Sequence, residues 1–333
     1  MGKIHGQNSV LSAVGGNFLI AVLKLIGFFI SGSASMFSEA VHSIADTINQ
    51  GLLLIGLRRS VKLSDEDHSY GYGRERFIWA LISACGIFFI GAGVTVYHGI
   101  HKLLVGGEFT TSPIITVILA ISFVVESLTL YIAVNELKKA HPGESFFDAL
   151  QDGDPTTIAV IYEDTIGVVG VAIAFLSIML SALTGNNYYD AIGSILVGLM
   201  LGAMAIALIE KNRQMLIEKS VPDEIEERVL EIMHADPMIE KVIDFKSSTL
   251  DINIYRVKCE VEFNGAALMR EIFVQGDLKN EYEIIKQDYS EYMQLCLDLV
   301  DRTPRLIGKK IDELESRIKA EIPSVKHIDI EVN

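Results

Sequence analysis

Glu39, His42 and Asp46 fall within SMFSEAVHSIADTINQ, residues 35–50, in surroundings otherwise apolar enough to cross a bilayer. Charge is costly in hydrocarbon, so ionisable side chains in a spanning helix point to an ion or proton path. His42 and Asp46 are four residues apart and stack on one helix face, and a neutral imidazole beside a carboxylate is half of a tetrahedral zinc site. Glu39 lies on much the same side, and Asn49 and Gln50 continue the polar stripe. The comparable cluster elsewhere is Glu163–Asp164 in IAVIYEDTIGVVGVAIAF. His42, Asp46, Glu163 and Asp164 are thus the candidate metal ligands, with Glu39, Asn49 and Glu126 as further residues on the path. The chemistry implied is binding and movement of a divalent cation.

Helices long enough to span must carry these residues. Apolar runs of about 20 residues can be placed at 8–30, 34–57, 77–101, 113–137, 156–182 and 188–210, giving six spans, and the apolar character stops near residue 215. Half of the 333 residues are hydrophobic and mean hydropathy is +0.36, which excludes an ordinary soluble enzyme. Arg58, Arg59, Lys62, Arg74, Arg76, Lys138, Lys139, Lys211 and Arg213 flank one set of span ends, whereas the alternate loops hold no Lys or Arg, with Lys102 close by. The positive-inside rule then puts both termini in the cytoplasm. No cleavable signal precedes the first span, and Gly6 breaks the myristoylation pattern that Met1–Gly2 begins. The absence of a presequence favours a bacterial plasma membrane.

Depth ties the two clusters together. At about 1.5 Å per residue, Glu163 lies roughly 10 Å above the inner end of the fifth span, and Asp46, counted from the opposite face of a core of about 30 Å, lies roughly 12 Å above it. The other polar residues in the spans have plainer readings. Lys24, with Asn17 in the first span, is expected to make one buried polar contact. Glu126 is Lys24's partner, a proton relay or an extra ligand. His98 and His101 are interfacial histidines or ligands, and Asp190 is a helix cap or an entry residue. On the loop after the second span, Asp67 and His68, beside Asp65 and Glu66, form a cytoplasmic cation collector or a solvated turn. Asp154 followed by Pro155 suits the start of the fifth helix.

Residues 216–333 form a separate cytoplasmic α+β domain after the 1–215 transmembrane cation-transport domain. A helix is predicted over 222–235, strands over 239–247 and 253–263, a helical insertion over about 266–300, a final helix opened by Pro304, and a last strand VKHIDIEV. From residue 214 onward the tail carries 16 Lys and Arg against 26 Asp and Glu, which argues against nucleic acid as a partner. Cys85, Cys259 and Cys296 have no CxxC spacing, so neither a disulfide framework nor a zinc knuckle is expected.

Six spans, the HxxxD pair of the second, the acidic pair of the fifth and the small tail resemble the cation diffusion facilitator family. GSASMFSEAVHSIADTINQGLL, HSYGYGRERF, AVNELKK, DPTTIAVIYEDTIGVVGV, YYDAIGSI and VKHIDIEV are similar to the branch that includes the mitochondrial zinc exporter and its bacterial relatives. The resemblance implies a polytopic α-helical membrane protein with a ferredoxin-like α+β tail. It also implies a homodimer that exchanges a divalent metal, usually zinc, against protons, with no prosthetic group. His42 and Asp46 match the family's second-helix ligands and Glu163 stands at its fifth-helix histidine, while the aspartate expected four residues later is Gly167. The fourth ligand is then Asp164, Glu126, Glu39, Asn49 or water. In the tail, Cys259, His327 and Asp329 fall at or near family positions that bind regulatory metal, while the position of their usual partner on the first strand is taken by Ile243, which leaves the set incomplete.

Because metal needs a neutral imidazole and ionised carboxylates, loading releases protons and protonation expels the metal. Zinc is the expected cargo, with manganese, or iron, cobalt or cadmium, as the alternative that oxygen-rich ligation would favour. A non-transporting scaffold or metal sensor with a degraded site is the rival of another class. A carrier for organic cations would want an aromatic cage, and an enzyme would need a nucleophile–base pair or a phosphate loop; neither pattern is present.

Overall fold

The computed structural model describes residues 7–106, 112–143, 145–152, 155–273, 282–283, 285–286 and 288–333. Asp154, the expected cap, lies outside them. The chain divides into two compact units, Met1–Leu216 and Ile217–Asn333.

Among the described residues the regular structure of the first unit is helical. Its elements are α1 (Gln7–Ser31), α2 (Ala34–Ser60), α3 (Glu75–Val105), α4 (Pro113–Ala140), the short α5 (Phe146–Asp152), α6 (Pro155–Thr184) and α7 (Tyr188–Leu216). Among the described residues, four stretches are long and apolar enough to cross a membrane: Glu75–Val105, Pro113–Ala140, Val160–Thr184 and Tyr188–Leu216. α1 contributes a shorter apolar helix at Asn17–Ser31, and α2 carries the charged stripe. The turn between α1 and α2 takes two residues because Gly32 adopts φ +62° and Ser33 then caps α2, accepting a hydrogen bond from Met36 N at 3.1 Å. α4 opens with Ser112 as cap and Pro113 in the first turn, where a missing N–H costs nothing.

α2 lies centrally, packed against α1, α3, α6 and α7. Two apolar layers enclose it. Met36 joins Ile115, Leu119, Val171 and Ala174 from α4 and α6. On the other side, Ala84, Ile87 and Ala92 of α3 pack on Val197, Leu201 and Ala205 of α7. Phe29, Phe89, Leu104 and Leu183 point outward and exposed, the surface a bundle in hydrocarbon requires. Midway along α3, Ile87–Ala92 winds as a π-helix, for which the sequence holds no signal. The connection between α4 and α6 contains α5, whose Ala149 packs against Ala133, Leu137 and Ile161.

The second unit is α8 (Asp223–His234), β1 (Ile239–Asp251), β2 (Ile254–Phe263), α9 (Gly265–Ile272), α10 (Tyr289–Glu321) and β3 (Val325–Val332). β2 is the middle strand, antiparallel to β1 and parallel to β3. Among the described residues the sheet has three strands, one short of a complete ferredoxin-like β-α-β-β-α-β pattern. Its core joins Val229 and Met233 of α8, Val257, Cys259 and Val261 of β2, Leu314 and Ile318 of α10, and Ile328 and Ile330 of β3. Pro304 does not open the final helix: α10 runs through it as one helix of 33 residues. A proline there removes one backbone bond, to the carbonyl of Val300. The break lies on an exposed face, where water supplies a donor, and ion pairs Asp298–Arg302 and Asp301–Arg305 brace it.

Candidate metal site

α2 and α6 run antiparallel, and their polar residues meet in register. Asn49 donates through Nδ2 to Glu163 Oε1 and accepts from Ser83 Oγ at 2.5 Å, so Glu163 is pinned one turn inward of Asp46. Two turns outward along α2, His42 Nε2 stands 3.2 Å from where a Cβ on Gly167 would be, and Glu39 Oε1 stands 2.6 Å from where one on Gly170 would be. His42 Nε2 is also 3.4 Å from Asp46 Oδ2, as an i,i+4 pair. Glu126 reaches in from α4, its Oε2 2.8 Å from the same Gly167 position. Gly167 is therefore not simply a lost ligand: the space a side chain would fill holds the carboxylate of Glu126. Asp164, next to Glu163 but turned around the helix, lies beside Thr129 and Glu126 of α4.

Every one of these donors is tethered by protein on one side. Asp46 leans on His42, Glu163 on Asn49, and Glu126 on Lys24, whose Nζ is 2.7 Å from Glu126 Oε1 and 2.6 Å from Glu39 Oε2. Lys24 thus makes two buried charged contacts rather than the single polar contact expected. As the side chains stand, no three His, Cys, Asp or Glu groups among the described residues close around one ion. Yet Glu39 Oε1, His42 Nδ1, Asp46 Oδ1, Glu126 Oε2 and Asp164 Oδ2 are buried and have no hydrogen-bond partner within the described protein. Buried polar atoms are ordinarily paired. A knot of acceptor oxygens without donors, gathered about one imidazole, is chemistry suited to a cation.

The remaining candidates separate. Asn49 has both ends of its amide engaged, so it positions Glu163 and is not a free donor. Asp190 is no entry residue. Its carboxylate accepts from Ser33 Oγ (2.6 Å), Ala34 N (2.6 Å), Ser35 N (3.1 Å) and Lys102 Nζ (3.0 Å), capping α2 from α7, and Lys102 also donates to the Gly32 carbonyl. Lys102 is buried at the bundle end rather than standing in a loop. The His98 ring lies 4.3 Å from that of Phe37 and edge-on to Phe28, a packing role.

Outside the apolar helices, Asp65 binds Lys62 (2.7 Å), Tyr72 OH (2.9 Å) and His68 N (3.0 Å), which hold its carboxyl well below the usual range. Asp67 and His68 are exposed on this closed turn. In the second unit Cys259 points into the core against Met233 and its thiol is pushed up to about 12 by burial, while Asp329 is exposed on the strand edge opposite Lys258. His327 pairs across from Arg256 and is pushed down by burial, then by Lys319 and Arg256. Strand alternation puts Cys259 on one face and His327 and Asp329 on the other, so these three do not meet; Ile243 is exposed on β1.

Fold and site together define a helical membrane-type protein with a buried imidazole–carboxylate cluster fit for a divalent cation. The comparisons give the class its name: the cation efflux transmembrane domain matches residues 10–217, and the chain belongs to the cation efflux (cation diffusion facilitator) family, whose members are transporters and not enzymes. It is 34% identical to metal tolerance protein C4 of Arabidopsis thaliana, over 99% of this chain and 74% of that protein. It is 36% identical to the proton-coupled zinc antiporter SLC30A9, mitochondrial, of Mus musculus, over 97% of this chain but 58% of that protein's length. A more distant relative is the cation-efflux pump FieF of Shewanella oneidensis, 23% identical over 81% of this chain and 84% of the pump.

Proposed function

We propose that this protein moves zinc out across a membrane in exchange for protons, with His42, Asp46, Glu163 and Glu126 as the ligands that close on the ion and Asp164 as the carboxylate beside them. The observation that carries the reading is the set of partnerless buried oxygens, Asp46 Oδ1 and Glu126 Oε2 beside His42 and Asp164 Oδ2 beside Glu126. Left without a cation or a proton, each unsatisfied oxygen costs about 1–3 kcal/mol. Loading needs only that each donor trade its tether for the metal: Asp46 turns from His42, Glu126 from Lys24, and Glu163 keeps Asn49 on one oxygen. Protons taken up by these groups from the far side then expel the ion, so cargo and protons compete for one site. Similarity to SLC30A9, a proton-coupled zinc antiporter, supports zinc and proton coupling here.

In this reading all six long helices cross the bilayer, both termini and the acidic second unit are cytoplasmic, and two copies work as a homodimer. The alternative cargo is manganese, favoured by one specific feature, a donor set of one imidazole and several carboxylates. Equilibrium titration of the purified chain with Zn²⁺ and Mn²⁺, alongside His42→Ala and Asp46→Ala, tests the assignment. We expect one high-affinity zinc site per chain that each substitution weakens by at least about tenfold. Zinc binding that ignores both substitutions would refute it, and tighter Mn²⁺ than Zn²⁺ would reassign the cargo.

A further inference from the structure

Lys24 has no part in the ligand set, yet it is fully buried and is shared by two carboxylates from different helices. A structural ammonium in an apolar bundle needs one partner; a second anion leaves the group with a surplus negative charge that itself needs neutralising. The two partners are not equivalent. Glu39 is fully buried against the Gly170 notch, whereas Glu126 is partly exposed and divides its oxygens, Oε1 on Lys24 and Oε2 facing the Gly167 notch where His42 Nε2 also points.

We propose that Lys24 is a tethered counter-cation that competes with the transported metal for Glu126, and so sets how readily the site lets its cargo go. The proposal rests on the metal-site reading above. With the site unloaded, the ammonium holds both Glu39 and Glu126. When a divalent ion draws Glu126 toward His42, like charge drives Lys24 back onto Glu39 alone; when the ion leaves, the ammonium recovers Glu126. Glu39 is then the resting station that keeps Lys24 from being expelled, with Oε2 on the ammonium of α1 while Oε1 lies at the Gly170 notch of α6. An exchanger gains from this arrangement because a site that bound its ion too tightly would turn over slowly.

The test is zinc titration of the full-length protein in detergent, with a chelating dye as competitor, for three variants that a structural role and a competitive role move differently. Lys24→Met removes the competitor and is expected to tighten zinc binding by about tenfold, Glu39→Gln commits Lys24 to Glu126 and is expected to weaken it by about threefold or more, and Lys24→Arg stays within about threefold of wild type. Opposite signs for Lys24→Met and Glu39→Gln support the proposal. Loss of affinity in both would make Lys24 a purely structural residue and overturn it. Should Lys24→Met fail to fold, the remaining pair decides: Glu39→Gln weaker with Lys24→Arg unchanged supports competition, and Glu39→Gln unchanged or tighter refutes it. A parallel titration of His42→Ala separates the two levels, since zinc binding insensitive to His42 would remove the metal site itself and the Lys24 proposal with it.

Discussion

Gly167→Ala presses chiefly on Glu126 and more lightly on His42. A Cβ at this position would stand 2.8 Å from Glu126 Oε2, 3.1 Å from Glu126 Cδ and 3.2 Å from His42 Nε2, where ordinary contact begins at 3.4 Å. His42 gives by a few tenths of an ångström; the Glu126 carboxylate, at the end of a flexible side chain, must retreat toward α4 by roughly half an ångström. Metal–ligand bonds tolerate only about 0.2 Å, so Glu126 leaves the site. Losing one anionic ligand should cost about 1.5–3 kcal/mol, or about 10- to 100-fold in zinc affinity. Fold stability should move the other way, because alanine is favoured over glycine inside a helix by up to about 1 kcal/mol. Zinc titration, paired with the half-life of the folded protein at a fixed elevated temperature, reads both quantities. Gly167→Asp combined with Glu126→Gln returns a carboxylate to α6 and should recover affinity to within about tenfold of wild type. Wild-type zinc affinity in Gly167→Ala would show that Glu126 is not a ligand and would refute the reasoning.

Three further outcomes follow from the geometry. Asp190→Asn strips the counter-charge from buried Lys102 and weakens the cap of α2, so the unfolding half-life should shorten by the equivalent of about 3–5 kcal/mol, while zinc affinity of the surviving folded fraction is unchanged. Asn49→Ala frees Glu163 from its tether and from Ser83 and should weaken zinc binding by about tenfold, whereas Asn49→Gln should not substitute, its longer amide overreaching Glu163. The Cys259 thiol, raised from 9.0 to about 12 mainly by burial, binds its proton more tightly folded than unfolded. Its contribution to stability is complete below about pH 9 and fades as pH rises toward 12, so denaturant midpoints should fall across that window in wild type and fall less in Cys259→Ala. A midpoint drop of equal size in both would remove Cys259 as the cause.

Local pattern and depth made much of this molecule legible, and long-range pairing hid the rest. Apolar runs ended by Ser33, Ser112 and Pro113 are readable because capping is a matter of a few adjacent residues. The His42–Asp46 face is readable because four residues on a helix always stack. Glu126 as Lys24's partner is one of the readings a lone buried carboxylate allows, and the two stand 2.7 Å apart, but Lys24's second partner, Glu39 on α2, has no local signal because it is brought there by helix packing. Gly167 reads in one dimension as a missing ligand; only the packed bundle reveals that α4 fills the notch. Asp190 likewise looks like a cap of its own helix, but it caps one 155 residues earlier. Pro304 misled because a proline commonly opens or breaks a helix, whereas here a 33-residue helix runs through it and leaves the lost backbone bond on a solvent-exposed face. The separation of Cys259 from His327 and Asp329 did have a signal. In YRVKCEVEF, Cys259 alternates in phase with Tyr255, Val257 and Val261, which are core residues, and His327 and Asp329 alternate out of phase with Ile328 and Ile330.

The most direct measurement of the central claim is zinc-gradient-driven flux in proteoliposomes with internal pH recorded, comparing wild type with Asp46→Ala. The account predicts zinc movement accompanied by proton flux in the opposite direction, both abolished in Asp46→Ala while the variant remains folded and inserted. Zinc flux that leaves internal pH unchanged, or that persists in Asp46→Ala, would contradict it.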